Sequence, residues 1–197
     1  MKTRVPTTFT GRKRWEARAW RLTRDAFERH GFQVAPLGLN RSLILPQAEP
    51  LILSAPSPPT VLMLLCAPDA IAFHKPTQRA YLLELKATCR DNVALRARDF
   101  TGLLMWQALL CVVHLPSERV YVCPIDNLPA PKRILVPVTS RPLCHWDKGG
   151  FSILQRRFPE APIVQGAKVS AGSQAPFGIW RLSDLTPLER FLRGDHQ

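Results

Sequence analysis

The chain has no Cys-x-x-Cys pair, no internal repeat, no low-complexity tract and few acidic side chains. Its five cysteines (Cys66, Cys89, Cys111, Cys123 and Cys144) are scattered and odd in number. That argues against a zinc ribbon, a four-cysteine iron–sulfur site and a secreted disulfide framework. Cys66, Cys111 and Cys123 lie inside apolar runs and read as small core residues. Cys144-His145 has no second pair nearby to complete a metal site. The longest apolar run, Val61 to Ala67, is far too short to cross a bilayer. The basic start, Met1 to Pro6, leads into no apolar core of a signal peptide. The expectation is a cytoplasmic, soluble protein with reduced thiols and no membrane partner.

The shortage of acid leaves 27 basic against 15 acidic side chains, a formal charge of +12. An excess of that size on a small protein suggests a polyanion as partner, through counterion release along a phosphate backbone. Arginine outnumbers lysine, so an arginine-rich genome is the competing source of the charge. At 197 residues, 46% apolar and 21% charged, the chain fits a folded protein with a real core.

Thr10 can cap a helix running to about His30, with Gly31 as its stop. Trp15, Ala19, Leu22 and Ala26 fall at helical spacing, flanked by Trp20, Thr23 and Phe27. The other face carries Arg14, Arg18, Arg21, Arg24 and Arg29, either a solvated surface or an edge that faces phosphates. Half of the net charge sits in the first thirty residues. Phe32 to Leu37 reads as a strand. Leu39 to Pro59 reads as a hairpin or edge strands with a proline-rich loop. Val61 to Phe73 and Tyr81 to Leu85 read as two strands joined by a turn from His74 to Arg79. A polar segment, Ala87 to Asn92, precedes a second helix from about Ala94 to His114, and Arg119 to Pro124 is a further strand. Beyond Leu128 the pattern weakens. Ile134 to Val138 and Phe151 to Leu154 are candidate strands, and Thr186 to Arg193 a short helix. The expected class is α/β, a mixed sheet flanked by helices. Residues 1–127 form the core, and 128–197 an irregular, β-containing C-terminal extension packed on it, a region for contacting substrate or partner.

Chemistry concentrates at Pro68-Asp69 and Glu84-Leu85-Lys86, with fourteen residues between the aspartate and the glutamate. Glu-x-Lys alone arises by chance about once in a chain of this size. Here, though, the tripeptide ends an apolar strand and the aspartate starts the preceding one. Charges on buried strands are costly unless they are paired or bind something. Antiparallel pairing would bring Asp69 close to Glu84 and Lys86 at one end of the sheet. Glu84 and Lys86 would share a face, with Leu85 on the other. Two acids and a lysine so placed can hold a divalent cation and position a water. The alternative is a surface ion pair beside an unrelated turn aspartate. His74 is a loop residue or a general base. Trp106, Trp146 and Trp180 are core or interface, or stack on bases.

This layout, from Thr10 to Asp126, resembles the PD-(D/E)xK nuclease superfamily, with its restriction-endonuclease-like fold. The resemblance implies that Asp69 and Glu84 ligate Mg²⁺, with Mn²⁺ able to substitute, and that the Leu85 carbonyl is a further ligand. It implies that Lys86 positions or helps deprotonate the attacking water and stabilises the phosphorane. Many members add an acid on the first helix, for which Glu16 is the candidate; Glu28 lies on the arginine-rich side. The helix-Gly-Phe-strand opening is similar to archaeal Holliday junction resolvases, although there the acid sits nearer the glycine, where this chain has Trp20. RecB-type nucleases carry Gln-x-x-x-Tyr on the second helix; here Gln107 is followed by Cys111, and Gln107 is a candidate for orienting a ligand.

Arg12, Lys13, Arg14 and Arg18 on the first helix, with Arg90, Arg96 and Arg98 beyond the lysine, are candidate phosphate contacts. The expected activity is metal-dependent hydrolysis of DNA in repair, recombination, restriction or a mobile element. The rivals are a non-catalytic nucleic-acid-binding protein on the same fold, and a nuclease subunit active only within a homodimer or a partner complex.

Overall fold

The computed structural model describes residues 9–37, 66–137, 143, 145–167 and 175–194. The apolar pieces expected between Leu39 and Leu65, Val138 and Cys144 lie outside the described residues, as do the side chains of Thr10, Arg12 and Trp146.

Helix α1 (Phe9–Glu28) buries Ala19 and Ala26 of the expected stripe together with the flanking Thr23 and Phe27, while Trp15 and Leu22 are half-buried. It stops in a Schellman closure. The Gly31 N–H bonds the Glu28 carbonyl and the Phe32 N–H bonds that of Phe27, with Gly31 at φ +80°. A side chain with a Cβ resists that backbone, which is why glycine stands there. Phe32 then folds back on Phe27, ring centroids 5.6 Å apart.

Strands β1 (Gln33–Pro36), β2 (Ala70–His74) and β3 (Arg79–Thr88) pair antiparallel, with Ala70 opposite Leu83. Next come β4 (Asn92–Arg96), α2 (Ala97–Trp106) and β5 (Leu109–His114), and β5 lies parallel to β3. Strands β6 (Arg119–Pro124) and β10 (Thr186–Pro187) complete a mixed six-stranded sheet ordered β1-β2-β3-β5-β6-β10. A second sheet, ordered β4-β9-β7-β8, takes β7 (Arg133–Pro137), β8 (Ile163–Ala167) and β9 (Phe177–Arg181). Helices α3 (His145–Arg157) and α4 (Leu188–Arg193) belong to the last third of the chain. The class is α/β with mixed sheets.

The large sheet is covered on both faces. Leu83, Leu109, Cys111 and Val113 pack with Ala19, Phe27, Leu188 and Phe191 on one side. Leu110 and Val112 pack with Leu95, Phe100, Leu103 and Trp180 on the other. Burial on both faces erases the alternation by which a strand is recognised. That corrects the expected helix from Ala94 to His114, which is a strand, a helix and a second strand. Gln107, at φ 50°, ends α2, and Leu109 to His114 then fills the slot beside β3. The candidate strand Phe151 to Leu154 is also corrected, for it lies inside α3. Phe151, Leu154 and Phe158 have the three- and four-residue spacing of a helix face and pack in one core. The short terminal helix begins at Leu188, because Thr186 and Pro187 pair with β6.

The last third of the chain is built into both sheets, since β9 pairs with β4 and β10 with β6. Trp180 is fully buried between Phe100 and Phe158, and its indole N–H donates to the Pro129 carbonyl at 2.7 Å. It is a core residue, and Trp106 packs partly against the same core.

Candidate active site

Asp69 stands just before β2, where the ladder to β3 ends. Its N–H bonds the Leu83 carbonyl and its own carbonyl accepts from Leu37, so the backbone is held from both neighbouring strands. Where the next rung would come, the Asp69 carboxylate takes over, accepting the Leu85 N–H on Oδ2 at 2.8 Å. In a strand the N–H and C=O of one residue point the same way. The Leu85 carbonyl therefore also faces the side on which β2 has ended.

Glu84 and Lys86 project from the opposite face of β3. They lie beside Leu110 and Val112 of β5 and so toward α2. Lys86 Nζ donates to Glu84 Oε1 at 2.5 Å. The side chains are 30% and 11% exposed respectively, so this is a sheltered pair rather than a surface one. Burial raises the Glu84 carboxyl above its usual range; Lys86 opposes that rise, while Asp69 and Asp99 add to it. For Lys86, burial works against the charged form, but Glu84, Asp99 and Asp69 outweigh it and hold the ammonium protonated. Burial, and after it Glu84 and Asp69, push the Cys111 thiol up.

These groups open into a cleft of about 830 Å³ whose walls include Lys13, Glu16, Trp20, Asp69, Glu84, Lys86, Arg96 and Asp99. The candidate acid Glu16 thus reaches the same cleft as Asp69 and Glu84. There it is 64% exposed and paired with Lys13 at 3.1 Å. Of the expected phosphate contacts, Lys13 and Arg96 line the cleft. Arg14 and Arg18 are not among the residues that line it. Arg18 is paired with Glu118 at 2.5 Å. Arg90 is exposed at a turn held by the Thr88 hydroxyl, which accepts its N–H at 3.0 Å. Arg98 is drawn inward between Asp99 (3.6 Å) and Asp147 of α3 (3.8 Å).

Gln107 is exposed at the C-terminal end of α2, about 12 Å along the helix axis from Asp99. It does not join the cleft-lining residues. His74 stands at the far end of β2, five residues from Asp69. Its ring packs on Phe32 at 4.9 Å and its Nδ1 meets the Thr77 hydroxyl at 2.6 Å.

Asp99 went unrecognised in the sequence. It is buried in the first turn of α2, and its Oδ1 lies 3.9 Å from Cys66 Sγ. The usable signal was an acid just before the helically spaced apolar residues Phe100, Leu103 and Leu104.

Among the described residues, no three His, Cys, Asp or Glu side chains group closely enough to hold a metal ion. The cleft is lined by the carboxylates of Glu16, Asp69, Glu84 and Asp99, of which Asp69 and Glu84 meet at the end of the β2–β3 ladder. Among the described residues, no helix is long and apolar enough to cross a membrane. No protein-family model and no curated protein sequence matches the chain.

Proposed function

We propose that the chain is a divalent-metal-dependent deoxyribonuclease of the PD-(D/E)xK type, with Asp69, Glu84 and Lys86 as its working residues. The observation that carries this reading is the convergence of those three side chains at the end of the β2–β3 ladder, inside a cleft walled by Lys13 and Arg96. The order of elements supports a restriction-endonuclease-like core: a helix, three antiparallel strands, a short strand of the second sheet, a helix, then a strand parallel to the third.

The donors fit Mg²⁺ or Mn²⁺. Asp69, Glu84 and the Leu85 carbonyl offer hard oxygens, and waters would complete the shell. Glu84 is also short of positive charge, since burial raises its pKa despite the Lys86 contact. A cation bound there would supply Lewis-acid charge and a water of lowered pKa. Asp69 orients its carboxylate through the Leu85 N–H, so one oxygen is fixed and the other is directed by it. Lys86 would supply charge and a hydrogen bond to the phosphoryl oxygens and position the attacking water. Lys13 and Arg96 hold the flanking phosphates at the rim.

The test is incubation of the purified protein with Mg²⁺ or Mn²⁺ and a panel of linear, branched and supercoiled DNAs. Lys86→Ala and Asp69→Asn should abolish cleavage and leave DNA binding largely intact. Cleavage that survives both substitutions refutes the assignment.

A further inference from the structure

One stripe of α1 walls the cleft. Lys13, Glu16, Ala17 and Trp20 line it, at the three- and four-residue spacing of a single helix face. Trp20 is the one aromatic in that lining among the described residues, and it is half-buried where the other three are exposed. We propose that Trp20 is a base-stacking residue. A nucleobase that has left its stack lies on the indole, so the substrate is single-stranded or locally unpaired DNA rather than intact duplex. This inference deepens the nuclease reading above and rests on it.

Three observations carry it. First, the ring stands beside the reacting end of β3. Trp20 and Leu85 are both packed partly against the core under α1, and both line the cleft. The Leu85 N–H is the group that holds the Asp69 carboxylate. Glu84 and Lys86 leave β3 on its other face, toward α2. The indole and the charged pair therefore approach one strand end from opposite faces, a place for the base on one side and for the phosphate on the other. Second, the rest of the wall suits a base. Pro36, Ala67, Pro68, Ala87 and Ala94 line the same cleft with small or rigid apolar surface. Phosphate alone has no use for such walls, whereas an organic ring is taken up by apolar surface with a few polar groups converging on it. Third, the size is that of an enclosure for a small group. The volume of about 830 Å³ lies within the range of pockets that surround a small molecule. In a duplex each base face is covered by the neighbouring pair, so a base reaches an aromatic wall in such a pocket only after leaving the stack. Lys13 stands seven residues before Trp20, about 10 Å along the helix axis, which leaves room between them for a sugar and its phosphate.

The experiment measures binding in EDTA, so that nothing is cut. Fluorescence anisotropy gives Kd for three end-labelled probes: a short oligothymidylate, the same sugar–phosphate strand without bases, and the duplex of the oligothymidylate with oligodeoxyadenylate. The wild type should bind the oligothymidylate more tightly than either of the others. Trp20→Leu, which keeps an apolar side chain at the edge of the core, should weaken oligothymidylate binding about tenfold, the loss expected for one stacked base. It should leave the baseless strand and the duplex unchanged. A merely structural role for Trp20 would weaken all three alike, and that result overturns the proposal. So does a wild type that holds the baseless strand or the duplex as tightly as the oligothymidylate. Should Trp20→Leu not fold, Trp20→Phe decides through intrinsic fluorescence. Oligothymidylate should quench the emission of the wild type, and most of that quenching should vanish when Trp20→Phe removes one of the five tryptophans. Unchanged quenching refutes the idea. The two levels separate cleanly. A wild type that binds none of the probes overturns the nuclease reading along with this one. Loss of cleavage in Asp69→Asn, with Trp20→Leu indifferent on all three probes, leaves that reading standing and overturns the stacking alone.

Discussion

Lys86→Met would leave Glu84 buried without its counter-charge, and the cost should depend on pH in a specific direction. With Lys86 removed, the two influences that lower the Glu84 pKa, the Coulomb attraction and the hydrogen bond, disappear together. Burial, Asp69 and Asp99 all remain, and all raise it. Removing one partner of a buried pair costs about 3–5 kcal/mol. Lys86 is 30% exposed, which lets water screen part of the charge, so about 2–3 kcal/mol is expected near pH 8. The folded variant then binds a proton on Glu84 more tightly than the unfolded chain does. Its stability relative to the wild type is therefore greatest below the unfolded carboxyl pKa, and declines as pH rises toward the folded one. The deficit should accordingly be smaller at about pH 5.5 than at about pH 8. Urea denaturation at the two pH values, read as midpoint shifts at constant slope, measures it. Glu84→Gln/Lys86→Met should recover most of the loss and be nearly indifferent to pH. A Lys86→Met deficit equal at both pH values, or a double variant no better than the single, refutes the buried-carboxylate reasoning.

Further consequences are open to measurement. Asp69→Ala strips the Leu85 N–H of its acceptor at an exposed position and should cost about 1 kcal/mol in urea denaturation, whereas Asp69→Asn retains an acceptor and should cost less. Gly150→Ala would place a Cβ 2.6 Å from the Ala97 carbon and the Arg98 nitrogen; overpacking of about 1–3 kcal/mol should outweigh the helix-forming gain and lower Tm. Gly31→Ala meets both φ +80° and a His74 Nε2 atom 3.0 Å from the new Cβ, and should cost about 1–2 kcal/mol in the same thermal assay. Glu16→Gln breaks only an exposed pair and should move stability by less than about 0.5 kcal/mol. If Glu16 serves the cleft, the same variant slows DNA cleavage, so an unchanged rate removes it from the site.

What could be read from the sequence followed from how each element meets water. Helix α1 has one wet face and one dry one, so its stripe, its glycine stop and the following strand were legible. The turn from His74 to Arg79 and the register that sets Asp69 against Glu84 were legible too, because that hairpin is bounded by polar residues. Strand β5 was not, since Leu109 to Val113 is buried on both faces and carries no alternation. That one misreading also hid the true start of α2, and with it Asp99. Arg98 was misplaced for a different reason. A buried arginine looks like a surface one until its partners are known, and Asp147 lies 49 residues away in another helix. Of the second sheet, β7 was legible as the expected strand from Ile134, but its partners β4, β8 and β9 were not, because they meet only over long separations.

That last property has a kinetic consequence. Strand β4 lies inside the segment that links β3 to β5, yet its ladder partner β9 comes roughly 80 to 90 residues later. A chain synthesised from its N-terminus can pair β1, β2, β3, β5 and β6 while β4 still waits, its apolar side chains Val93 and Leu95 without the cover of Trp180. Helix α2, which follows β4 directly and carries Asp99, is tied to the same late segment, since the Ala97 N–H bonds the Pro176 carbonyl. A strand near the end of the described chain thus backs β4, whose Ala94 and Arg96 line the cleft that α1 also walls.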